Sequence, residues 1–320
     1  MTDHKLTIDV YRAEDFTVSE GVRIGEPLSF ADDLLMDDQF QMGADADIFG
    51  LTLLDDGHTL RPTARPDNLV HIDCCLTLIA PDGGTHEAVV LVEVTGDLIA
   101  GVHVLALGDF VPATDYRLIG VERHSATKRF AQSAGGSFAR GTLITMGNGM
   151  MRPIESLAVG DEILTRDSGK QPLRMIGQCT LRATGRFAPV VITKGTLHNE
   201  NDLVLRPDHR LMVYQRADYL GAGRPEVLIK ARQLVDGTSV VRRKGGFVDY
   251  FQLILDEHFI IFAEGIAAES HLVDPRSRAV LSTNITPKNH TPRDPQDYEF
   301  QGDITPSADI AHLLRRASRG

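Results

Sequence analysis

The chain has 320 residues, 42% of them hydrophobic and 24% charged, a globular balance that excludes wholesale disorder and fibrous repeats. At about 100–200 residues per domain the length leaves room for two domains, and no apolar run reaches the roughly 18 residues of a membrane-spanning helix. Three cysteines, Cys74 beside Cys75 and Cys179 alone, offer neither a disulfide framework nor zinc-ligand spacing, and nothing indicates a metal or cofactor.

Charge is unevenly divided. Residues 1–130 hold 23 Asp+Glu against 9 Lys+Arg, and the remainder holds 21 against 24, giving −14 and +3 of the net −11. The acidic part is repelled by nucleic acid and by anionic membranes, so neither is an expected partner. The first residues, MTDHKLTIDVYRAEDF, carry charges where a secretory signal needs an apolar centre, which predicts a cytoplasmic or leaderless protein.

In chain order, residues 1–130 read as an acidic β-rich domain. AVVLVEV (88–94) follows the turn signal Pro81-Asp82-Gly83-Gly84 and predicts a hairpin. Asp32, Asp33, Asp37, Asp38, Asp45 and Asp47 lack the alternating ligands and central Gly of an EF-hand and read as a solvated face. AQSAGG (131–136) is a small-residue hinge. Residues 137–280 form a second strand-rich block, with Pro153 to Leu157 as a single helical turn. Short apolar runs spaced about 8–15 residues apart fit a sandwich or another compact β structure, so the expected fold is mostly β. Residues 281–320 form a polar tail with a short helix after Pro306, its face made by Ile310, Leu313 and Leu314. Leu203 to Val213 and Leu253 to Phe262 share an order of apolar triplet, acid-histidine turn and strand, a candidate duplication that would give the block pseudo-two-fold character.

Gly135-Gly136-Ser137-Phe138-Ala139 superficially matches a hydrolase nucleophile elbow, but no strand precedes the serine and no helix follows it. The segment from Ser137 to Gly177, containing IESLAVGDEILTRD, instead resembles the opening block of the Hint (hedgehog/intein) family. Leu203 to Val213 resembles its histidine block, with His209 at the histidine, and Phe262 to Ile266 resembles its last block. The closest likeness is to bacterial Hint proteins with a distinct N-terminal domain.

That resemblance implies an all-β module of short curved strands and an autocatalytic reaction. Ser137 Oγ would attack the Gly136 carbonyl and convert the peptide bond to an ester, with His209 shuttling the proton. Glycine suits the scissile position because it tolerates strained backbone. Gly141-Thr142 belongs to the same block, although β propensity alone also places Thr142 at the start of a strand. Arg206 stands where the family often has Thr or Ser, so it either blocks hydrogen bonding to the scissile amide or polarises the carbonyl. Ser137 replaces the family's usual cysteine. Glu269 and Ser270 fall where inteins end in His-Asn, so the expected outcome is cleavage at Gly136-Ser137 without splicing. The alternative is an inactive Hint-like binding or structural protein that holds the N-terminal domain in place; either reading expects contact between the two domains. On bland readings, Ser137 is a loop serine, His209 a backbone partner, His258 structural, Asp208 a turn-maker and Cys179 a small buried hydrophobe.

Overall fold

Alternation of apolar and polar residues along the first strand sets the pattern of the N-terminal unit: Leu6, Ile8 and Val10 are buried, while Lys5 and Thr7 face water. The computed structural model describes residues 4–56, 58–134, 137–215, 223–271 and 276. It divides into two units, one holding residues 4–134 with Arg276, the other residues 137–271.

The first unit contains β1 (His4–Arg12), β2 (Phe16–Glu20), β3 (Gln39–Met42), β4 (Phe49–Asp55), β5 (Leu60–Pro62), β6 (Leu69–Ile79), β7 (Thr85–Thr95), β8 (Leu98–Ala106), β9 (Asp115–Glu122) and the helix α1 (Ala126–Gln132). Antiparallel pairing runs β6-β5-β4-β1-β8-β7 and returns from β7 to β6, closing a six-stranded barrel, with β9, β3 and β2 continuing from the later half of β6. Closure removes the free edges an open sheet would expose. A core including Phe16, Phe40, Leu76, Val90, Val104 and Tyr116 packs the barrel wall under those three strands.

The expected hairpin is β6–β7, turning through Pro81–Gly84 with Gly83 at φ 81°. Two readings change. Asp38 is buried rather than solvated, because its carboxylate accepts the Val22 N–H at 2.8 Å and secures the turn after β2. Ala131 and Gln132, expected in the hinge, close α1. Among the described residues no group of three or more acids, histidines or cysteines could hold a metal, and no helix is long and apolar enough to cross a membrane.

The second unit contains β10 (Phe138–Ala139), β11 (Leu143–Thr145), β12 (Met151–Pro153), β13 (Glu162–Leu164), β14 (Lys170–Pro172), β15 (Met175–Arg182), β16 (Val190–Ile192), β17 (Leu203–Leu205), β18 (Arg210–Tyr214), β19 (Glu226–Lys230), β20 (Val240–Arg242), β21 (Phe247–Ile254), β22 (Ile260–Ala263) and β23 (Ile266–Glu269). Two six-stranded sheets, β15-β21-β10-β17-β16-β20 and β12-β11-β22-β23-β18-β19, share one core that includes Ile144, Ile192, Leu203, Leu211, Leu253 and Ile261. The chain passes from the first sheet to the second three times, at β10–β11, β17–β18 and β21–β22. The last two crossings are the two similar segments, and each turn carries a histidine, His209 or His258. The single turn after Pro153 is a 3-10 turn, Ile154–Ser156. Cys179 is only half-buried, because β15 is the edge strand of its sheet. The helix expected after Pro306 lies outside the described residues.

Candidate active site

Ser137 stands immediately before β10, a two-residue strand paired on both sides, Phe138 with Leu205 and with Phe251. That central position buries Ser137 to 1% exposure. Its carbonyl accepts the Arg206 N–H at 3.0 Å, and the Arg206 carbonyl accepts the His209 N–H at 3.0 Å. The second bond closes the turn Arg206-Pro207-Asp208-His209, in which proline takes its favoured second place. The turn lays the imidazole against the residue after Ser137: the rings of Phe138 and His209 have centroids 4.3 Å apart. The His209 carbonyl in turn accepts the Ala231 N–H at 2.8 Å. Serine and histidine, 72 positions apart in sequence, thus come together through one strand pair and one turn.

The His209 ring nitrogens are buried with the Ser137 backbone beside them, and Ser137 Oγ is, among the described residues, buried without a hydrogen-bond partner. Buried polar atoms are rarely left so. Burial pushes the His209 pKa down to about 4; Glu269 opposes this, while Arg210 and His271 add to it and the Ser137 backbone favours the charged ring. The ring is therefore neutral near pH 7, with one nitrogen able to accept a proton.

A charged shell surrounds the pair. Burial pushes the Arg206 guanidinium pKa down, and its Cζ lies 5.1 Å from the Phe187 ring centroid. For Asp208, burial works to raise the carboxyl, but Arg232, Arg186, Lys230 and Arg206 together hold it well below the usual carboxylate range. Glu269, buried at the end of β23, accepts both the Arg210 main-chain N–H and its guanidinium at 3.1 Å, and lies 3.3 Å from His258 Nε2. Burial would raise its carboxyl too, but Arg210 and His258 hold it below the usual range.

Of the expected site residues, Ser137, Arg206 and His209 meet. Thr142 lies at the turn from β10 to β11, where its hydroxyl and N–H both donate to the Ala139 carbonyl, at 2.8 and 3.2 Å. Gly136 lies outside the described residues. Sequence reasoning noticed Glu269 only as the end of a block. A lone acid closing the apolar run Ile266-Ala267-Ala268 was the available signal, since a buried carboxylate requires a partner.

Residues 136–275 match a family model described as the Hint domain. Two solved structures, the gp41-1 intein and a substituted form of it, are each similar at 13% identity, covering 43% of this chain and 99% of theirs, with TM-scores of 0.26. No curated protein matches the chain.

Proposed function

We propose that the protein cleaves itself at Gly136-Ser137 without splicing, a reading supported by the match of residues 136–275 to the Hint-domain model. The observation that carries this reading is the buried pairing of Ser137 with a neutral His209 across the β10–β17 strand pair. In the proposed step a bond forms from Ser137 Oγ to the Gly136 carbonyl carbon, and the bond from that carbon to the Ser137 nitrogen breaks. His209 takes the hydroxyl proton and delivers it to the departing nitrogen, leaving an ester and a free amine. Water then opens the ester, giving residues 1–136 a new carboxylate and restoring the serine hydroxyl. Arg206 is assigned the positioning of the nucleophile, because its main-chain N–H holds the Ser137 carbonyl. Thr142 is assigned the shaping of the turn beyond the nucleophile.

Glu269 and Ser270 at the close of the domain support the absence of splicing, because neither side chain can cyclise as asparagine does. Ser270 Oγ is also engaged, accepting the Phe259 N–H at 3.0 Å. The test is intact-mass analysis, under denaturing conditions, of the full chain incubated with and without hydroxylamine. Expected are two fragments meeting at Gly136-Ser137, accelerated by hydroxylamine and lost in Ser137→Ala and His209→Ala. A chain that stays whole in every condition, even as Ser137→Cys, overturns the proposal in favour of a binding or structural role.

A further inference from the structure

The N-terminal barrel has a charged mouth that the self-processing reading does not use. A cavity of ≈ 420 Å³ opens there, lined by Arg12, Phe49, Arg65, Gly101 and His103 among others. Barrel mouths of roughly this size are common places for small-molecule sites.

The sequence builds this mouth by strand parity. Arg12 continues the face of Leu6, Ile8 and Val10 on β1, and it pairs with His103 on β8. On β7, Glu93 faces Gly101, and Leu91 faces His103. Glu93 is fully buried, yet it is well partnered. It accepts Arg65 Nη2 at 2.7 Å and Asn68 Nδ2 at 2.6 Å, and His103 Nε2 lies 3.2 Å away. Asn68 is itself fixed by the Thr95 hydroxyl at 2.6 Å. Arginine and amide nitrogens only donate, so the carboxylate accepts on both oxygens, and the His103 Nε2–H is the group that completes it. His103 Nδ1, on the other side of the ring, is buried and without a partner among the described residues.

Two further features suit a ligand. Gly101 leaves open the space a side chain would fill, since a Cβ there would lie 3.6 Å from His103 Nε2 and 3.8 Å from Glu93 Oε2. Arg12 Cζ sits 4.8 Å from the Phe49 ring centroid, which holds the guanidinium in place while its N–H edge stays available. In a segment with only 9 basic residues against 23 acids, two arginines flank one cavity.

We infer that the barrel mouth binds a small hydroxycarboxylate of about sugar-acid size, with its carboxylate on Arg12 and Arg65 and a hydroxyl hydrogen-bonded to His103 Nδ1. Glu93 and Glu14 already set two negative charges against the two guanidiniums, which disfavours a phosphate dianion.

Calorimetric titration of the full chain with sodium glucuronate and sodium gluconate tests this site without reference to cleavage. Expected is saturable binding of at least one of them, weaker binding of acetate and none of glucose. Arg12→Ala should weaken binding about tenfold or more, as expected for loss of a charge-assisted hydrogen bond. Gly101→Val, whose side chain occupies the mouth and suits a strand, should abolish it with an unchanged circular dichroism spectrum. The inference is overturned if neither sugar acid binds, if glucose or inorganic phosphate binds as well, or if both variants bind like the parent chain.

Discussion

An imidazole kept neutral by burial leaves a signature in stability as well as in chemistry. His209 has a folded pKa of about 4 against an ordinary imidazole value of 6.5, so between these limits the unfolded chain binds the extra proton. Stability therefore holds above about pH 6.5 and falls as the pH drops toward 4, by up to about 3 kcal/mol from this residue. Urea titrations across that range should show the loss in Ser137→Ala and a flatter profile in the double variant Ser137→Ala/His209→Gln. The Glu269 carboxylate, with its pKa depressed, contributes in a lower window, present above about pH 4.5 and lost on further acidification. Glu269→Gln should cost a few kcal/mol at neutral pH, since it removes the buried carboxylate charge that meets both Arg210 and His258. It should also push the His209 pKa lower still, which a histidine-resolved NMR titration would read.

Elements, rather than single residues, deliver the site. Strand β10 is only two residues long, but partners on both sides fix its register and with it the place of Ser137. A support runs beneath: the Tyr250 hydroxyl on β21 donates at 2.7 Å to the buried Phe187 carbonyl, and the Phe187 ring underlies Arg206. Tyr250→Phe should lower unfolding free energy by about 1–3 kcal/mol in urea, the cost of an orphaned buried acceptor. If Arg206 acts as proposed, the same change slows cleavage without altering its site. Much of this framework was legible in the chain. Apolar triplets bounded by turns became strands, and the echo between Leu203–Val213 and Leu253–Phe262 became two matching passages between sheets. Pairings that join distant segments were not legible from periodicity alone. Closure of β7 onto β6 and the reach of Glu269 to Arg210 depend on long-range register, which local pattern does not encode. Asp38 misled for a related reason: a carboxylate beside other acids reads as solvated until the turn it satisfies is known.

At the scale of the whole chain, two units with separate cores carry contrasting chemistry, a charged barrel mouth in one and a neutralised histidine in the other. Two heat-absorption peaks are expected for Ser137→Ala in scanning calorimetry. A bound sugar acid should move one of them, and acidification from pH 6.5 toward 5 should lower the other. Arg276 adds a topological point. It follows the second unit in sequence, yet it groups with the first and donates from Nη1 to the Ser133 carbonyl at 3.2 Å. Scission ahead of Ser137 would leave this hydrogen bond joining the downstream fragment to the upstream one. Under native conditions the nicked molecule should still travel as a single species.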